Sequence, residues 1–261
     1  MNKKIILFAL VALVGLLTSL MIVSALPTGP KSMTETKSER WPTWEPTTDD
    51  ALAGNVTEMN FNSSSITRTW QGYFGNITGI IVLGDSNNNT LYDWSVASPQ
   101  GEVYAVRNAA VPTWTKVVCA SQAELQAEDT NLTVNESVDQ DAVNRTFVVL
   151  GSEDQTAKFG TDNLHHPLFY VANQTITADS CPLAVMYNSS GAPSPYFKEV
   201  LLSDGSANLI YTALIAHTLN PFAESDGFDQ RTHDFEMIVG EDGHGTDTAV
   251  TTYWFYVELG G

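Results

Sequence analysis

The chain has 261 residues, with 12 Lys and Arg against 30 Asp and Glu, for a formal net charge of −18. So acidic a balance excludes nucleic acid and anionic lipid as partners, and favours solubility with at most weak binding of divalent cations. The length allows one large domain with a tail, and the two cysteines, lacking a C-x-x-C or Cys/His cluster, exclude a thiolate zinc site.

In chain order, residues 1–25 read as a secretory signal. Lys3 and Lys4 precede an uncharged apolar run from Ile5 to Val23, and Val23-Ser24-Ala25 supplies small residues for cleavage before Leu26. The run is also long enough to span a bilayer as an uncleaved anchor. With either outcome the remainder is expected outside the cytoplasm, extracellular or at the cell surface, meeting a membrane only during export. Loss of Lys3 and Lys4 would leave ten basic residues against thirty acidic, a net charge of −20.

Residues 26–52 carry Pro27, Pro30, Pro42 and Pro46 among many Ser and Thr, with Trp41 and Trp44 as the main apolar content, the composition of an extended arm. Residues 53–65 then alternate. Thr57, Met59 and Phe61 share one face while Glu58, Asn60 and Asn62 share the other, so this segment is a candidate donor strand for a sheet edge.

From residue 66 to 261 short β-rich runs are separated by Gly, Pro, Asn and Asp, the spacing of an all-β, antiparallel β-sandwich, Ig-like or jelly-roll-like. Strands are expected near 56–61, 66–74, 77–83, 91–97, 102–107, 114–119, 146–150, 168–171, 196–202, 208–215, 234–239 and 251–259. One short helix is expected, because Ser121 and Glu124 form a capping box ahead of Leu125 and an Ala- and Glu-rich turn ending about Asp129. Ile80 to Leu83, Phe147 to Leu150 and Tyr253 to Val257 are apolar at successive positions and hence on both faces of a strand. A two-sheet monomer covers one face of each strand, so a third layer or a neighbouring molecule must cover the other.

N-x-[ST] acceptors stand at Asn55, Asn62, Asn76, Asn88, Asn131, Asn135, Asn144, Asn173 and Asn188. That is about a threefold excess over chance for this composition, which in an exported chain points to N-linked glycans at surface positions. Cys119 and Cys181 are expected to form one disulfide, as an even count does in a secreted chain. Calcium is a possible ligand of two loops. Asp85, Asn87, Asn89 and Asp93 place oxygens at alternate positions, although Thr90 and Val96 stand where a calcium loop of this spacing has Gly and a closing Glu; Asp242 and Asp247 bracket an acidic turn. A plain hairpin turn explains the first loop equally, since Asn accepts left-handed backbone.

The five histidines, His165, His166, His217, His233 and His244, fall in no H-E-x-x-H, and there is no G-x-S-x-G elbow, Walker loop or G-x-G-x-x-G. No catalytic residue is assigned, and the chain reads as a non-enzyme.

Trp70-Gln71-Gly72-Tyr73-Phe74-Gly75-Asn76, Leu91-Tyr92-Asp93-Trp94, Gly101-Glu102-Val103-Tyr104-Ala105, Glu241-Asp242-Gly243-His244-Gly245 and Tyr256-Val257-Glu258-Leu259 resemble strings in a family of uncharacterised archaeal secreted glycoproteins. The layout of signal, arm and glycosylated β domain resembles archaeal extracellular filament subunits, the threads and bundling pili. That resemblance implies identical subunits as partners, each sending an N-terminal strand into the β-sandwich of the next. The alternatives are a monomeric surface module that binds glycan or protein, and a secreted hydrolase.

Overall fold

The structure, a computed structural model, describes residues 26–42, 45–96, 99–110, 112–135, 137–149, 163–206, 208–219, 225–242 and 250–260, with only the backbone of Ser95, Val96 and His217. The expected signal, Trp44, His244 and Asp247 lie outside them. Among the described residues no helix is long and apolar enough to cross a membrane.

The fold is all-β and antiparallel. Twelve strands are present among the described residues: β1 (Trp70–Gly75), β2 (Gly79–Gly84), β3 (Thr90–Val96), β4 (Gln100–Val106), β5 (Val118–Cys119), β6 (Phe169–Val171), β7 (Gln174–Ile176), β8 (Leu183–Tyr187), β9 (Pro193–Ser203), β10 (Leu209–Leu214), β11 (Phe235–Gly240) and β12 (Trp254–Gly260). A six-stranded sheet runs β12-β4-β10-β9-β5, with β8 also on β9, and two-stranded pairs form from β1 with β11, β2 with β3, and β6 with β7.

The central sheet is buried on both faces, which its uninterrupted apolar runs require. On one face Tyr104, Val106, Val200, Leu202, Ile210 and Leu214 pack with Trp114, Leu164, Phe169 and Ile176. On the other, Val103, Ala105, Leu201, Tyr211 and Ala213 meet Met237 and Val239 of β11, with Leu125, Leu132, Val143 and Phe147 from helical segments. The cover expected for strands that are apolar on both faces is therefore supplied inside the chain at the central sheet. Phe147 and Val148 divide between the two faces in the same way, one in each cluster.

Helix α1 (Gln122–Asn131) begins as expected. The Ser121 backbone N–H donates to Glu124 Oε2 at 2.7 Å and the Glu124 N–H to Ser121 Oγ at 3.4 Å. Two single-turn helices, α2 (Val143–Thr146) and α3 (Ala216–Leu219), go beyond the one helix expected. The 146–150 strand is absent as such: Thr146 closes α2, and Val148 makes only an isolated antiparallel bridge to Leu183. Residues 114–116 form a 3-10 turn in place of the start of a strand, while β7 and β8 were not anticipated. Both are short and follow turn residues, Asn173 and Pro182, where alternation has little length in which to show.

Cys119 and Cys181 are bonded, with Cα atoms 4.8 Å apart. The link ties β5 at the sheet edge to the segment entering β8 and closes a loop that, on the chain-entropy view, stabilises by about 3 to 4 kcal/mol.

Candidate assembly surface and glycosylation sites

The arm and the segment after it stay outside the core. Residues 28–65 are exposed throughout apart from the two undescribed positions, and residues 53–65 form no strand. Val56, Met59 and Phe61 are among the exposed large apolar side chains, and Trp41 is another. Thr57, Met59 and Phe61 are thus brought to no sheet of their own domain.

The start of the arm does touch the domain. The Thr28 N–H donates to the Val257 carbonyl at 3.1 Å and the Val257 N–H to the Thr28 carbonyl at 2.9 Å, an antiparallel bridge on the outer edge of β12. Pro27 beside it is buried. Because the residues of a strand alternate in which edge their main chain addresses, the N–H and C=O of Phe255 and Leu259 turn to that same outer edge. No strand among the described residues pairs with them there. The sequence reading placed no contact at Thr28, since Pro27 and Pro30 read as linker; a single bridge leaves no alternation to detect.

Of the nine sequon asparagines, seven are exposed, and Asn144 and Asn188 are half-buried. Asn88 occupies the β2–β3 turn with φ 65°, the left-handed conformation that Asn tolerates. Asn188 Oδ1 accepts from the Ser190 N–H at 3.0 Å and Ser190 Oγ at 2.7 Å, so the sequon hydroxyl holds its own asparagine in an Asx turn.

The loop of Asp85 is organised as a turn. Asp85 Oδ1 accepts from the Asn87 and Asn89 N–H groups, both at 2.9 Å, and Oδ2 accepts from Asn89 Nδ2 at 2.8 Å. Hydrogen bonds from Asn89, against a small burial penalty, hold this carboxyl below its ordinary range. Asp93 lies on β3 opposite Val82, and Asp242 accepts from Thr133 Oγ1 at 2.7 Å. Among the described residues no three His, Cys, Asp or Glu side chains gather where a metal ion could sit.

The described histidines act as ties between segments. His165 Nδ1 meets Asp179 Oδ2 at 2.9 Å. His166 Nε2 accepts the Cys181 N–H at 3.1 Å, and burial pushes its pKa down, as a neutral ring there requires. His233 Nε2 meets Asp229 Oδ1 at 2.8 Å.

Sequence reasoning missed the buried carboxyls. Glu102 of β4 stands opposite Glu258 of β12, and Tyr104 Oη donates to Glu258 Oε2 at 2.9 Å. Glu199 Oε2 accepts the Ile238 N–H at 2.8 Å, linking β9 to β11. Burial raises both Glu102 and Glu199 well above the usual range, with Glu258 adding to the effect at Glu102. Burial also pushes Glu236 up to about 7, opposed by the N–H that Phe228 donates to it. Glu at alternate strand positions reads as solvent-facing, which hides these groups from a sequence.

A depression of about 500 Å³ at the end of α1 is lined by polar groups, Gln126, Asp129, Thr130, Thr133 and Asn135 among them. No protein-family model, curated protein or solved structure matches the chain. The resemblance to filament subunits therefore rests on the layout of the sequence alone.

Proposed function

We propose that this chain is an N-glycosylated structural subunit of an extracellular or cell-surface filament. In it the N-terminal segment around Thr57, Met59 and Phe61 of one copy adds as a strand to the sheet of the next. One observation carries the reading: a segment with strand alternation and exposed Met59 and Phe61 has no sheet partner in its own domain.

The outer edge of β12 is the acceptor this reading favours, since Phe255 and Leu259 turn main-chain groups outward and an incoming strand has to displace only the isolated Thr28 bridge to Val257 between them. Strand addition satisfies those groups and lays alternate side chains along the rim of the core. Donor and acceptor are different surfaces of the chain, so the contact is head-to-tail, and where its rotation does not close a ring the product is a fibre. Glycans at the exposed sequons keep the outer surface of such a fibre hydrated.

Negative-stain images of the mature protein test the reading, with a variant lacking residues 52–63 beside it. Fibres from the intact chain and monomers from the deletion are expected. Fibres from the deletion would remove strand donation, and an intact chain that stays monomeric at high concentration would remove the filament.

A further inference from the structure

Strands β2 and β3 form a hairpin that pairs with nothing else among the described residues. Its register sets Ile81 opposite Trp94 and Leu83 opposite Tyr92. Directly opposed residues point to the same side and successive residues alternate, so these four side chains share one face. The Tyr92 and Trp94 rings lie edge to face with centroids 4.9 Å apart. The other face is broken by charge, with Asp93 opposite Val82.

A two-stranded sheet is marginal in water unless a hydrophobic face is covered. Here Ile81, Leu83, Tyr92 and Trp94 are between 41% and 59% exposed. The Ile81, Leu83, Tyr92 and Trp94 face alone presents on the order of 400 Å² of apolar side chain, about half the ~800 Å² per partner of a standard stable interface, a size that suits a reversible contact repeated between subunits.

The nature of the covering surface follows from charge. The chain carries 30 acidic residues against 12 basic, so two copies repel across most of their surfaces. Contact between copies is favourable only where that charge is missing, and the Ile81, Leu83, Tyr92 and Trp94 face carries none. A basic partner would find no carboxylate on this face to pair with. An uncharged apolar face meets its own image across a two-fold axis without charge repulsion, and two such faces stack at the ~10 Å spacing of packed sheets. Asn88, whose sequon marks the tip, bars end-on approach when glycosylated, while Ile81 and Trp94 lie several residues from it.

We infer that the β2–β3 hairpin is a self-association element, in which the Ile81, Leu83, Tyr92 and Trp94 face packs on the same face of a second copy about a two-fold axis. This contact is separate from strand donation: it closes on itself, and it joins subunits or fibres side by side.

The native disulfide occupies both cysteines, so one introduced thiol is uniquely reactive. Mature chains carrying Ile81→Cys or Val82→Cys are treated with a bis-maleimide spanning about 10 Å, because sheets so spaced are too far apart for a direct disulfide. Ile81→Cys is expected to give covalent dimers at least about tenfold faster than Val82→Cys, as a thiol held at high local concentration does. Equal rates, or no dimers from Ile81→Cys, overturn the proposal. So does Ile81→Cys joining Phe61→Cys in preference to its own copy, which would make the arm the occupant, or its protection by neutral phosphatidylcholine vesicles without dimers, which would make it a lipid surface. In a chain lacking residues 52–63, which donates no strand, Tyr92→Asp is expected to shift the concentration-dependent monomer–dimer equilibrium seen in sedimentation at least about tenfold toward monomer, with the melting temperature of the dilute monomer unchanged; an equilibrium that does not move overturns the contact. Dimers without fibres in images of the Ile81→Cys samples would remove the filament reading alone.

Discussion

Val200-Leu201-Leu202 of β9 and Ile81-Val82-Leu83 of β2 are nearly the same text, yet the first triplet is fully buried and the second is half exposed along its length. Strand propensity is alike in the two. What differs is the number of layers: β9 has neighbours on both edges and packing on both faces, whereas among the described residues β2 has one neighbour and no member in either core cluster. An apolar run thus dictates strand and hidden faces without naming the molecule that hides them. In β9 that is the chain itself; in β2 we assign it to a second copy.

The sharpest way to break this comparison is truncation at matched positions. Leu201→Ala is expected to cost about 2 to 5 kcal/mol in denaturant unfolding, because Leu201 is fully enclosed and leaves a cavity. Leu83→Ala, already in contact with water, is expected to cost the dilute monomer under about 0.5 kcal/mol. Equal costs would mean that the hairpin is packed as the central sheet is.

Next in size is the titration of a buried carboxyl. Glu236 has a folded-state pKa raised from 4.5 to about 7 by burial. The fold holds the protonated form, so its contribution is intact below pH 4.5 and is lost as pH rises toward about 7; the loss amounts to roughly 3 kcal/mol at most. Glu236→Gln is expected to flatten this part of the profile of melting temperature against pH, and an unchanged slope would place the titration elsewhere. Glu102 and Glu199, raised by the same cause, steepen the fall in the same direction. The hairpin contains no such group, and its association is expected to follow salt more than pH.

A smaller loss is expected at the start of α1. Ser121→Ala removes the acceptor for the Glu124 N–H and is expected to cost about 1 kcal/mol by thermal unfolding, with no change in association.

Much of the fold was legible because its signals are local. The capping box at Ser121 and Glu124 specified where α1 begins, since both partners lie within one turn. Nine of the twelve expected strand runs contain a strand longer than two residues, because β-branched and aromatic runs bounded by turn residues need no distant context. Thr146 to Leu150 misled for the same reason. Its composition is that of a strand, but α2 and the bridge from Val148 to Leu183 place Phe147 and Val148 in two separate clusters. Of the candidate site, the alternation of Thr57, Met59 and Phe61 could be read, while their exposure, the Thr28 bridge, the outward edge of β12 and the exposed face of the hairpin could not.

Covalent and short-range choices were within the reach of the sequence alone: the acidic surface, the sequons, the single pair of cysteines, the turn at Asp85 and the β class. Which apolar runs are enclosed, which glutamates are taken out of water, and which strand edge is left open were decided only by the tertiary structure. The reason is that burial belongs to layers, and a layer is assembled from residues such as Tyr104 and Tyr256 that lie far apart along the chain and meet only across the folded sheet.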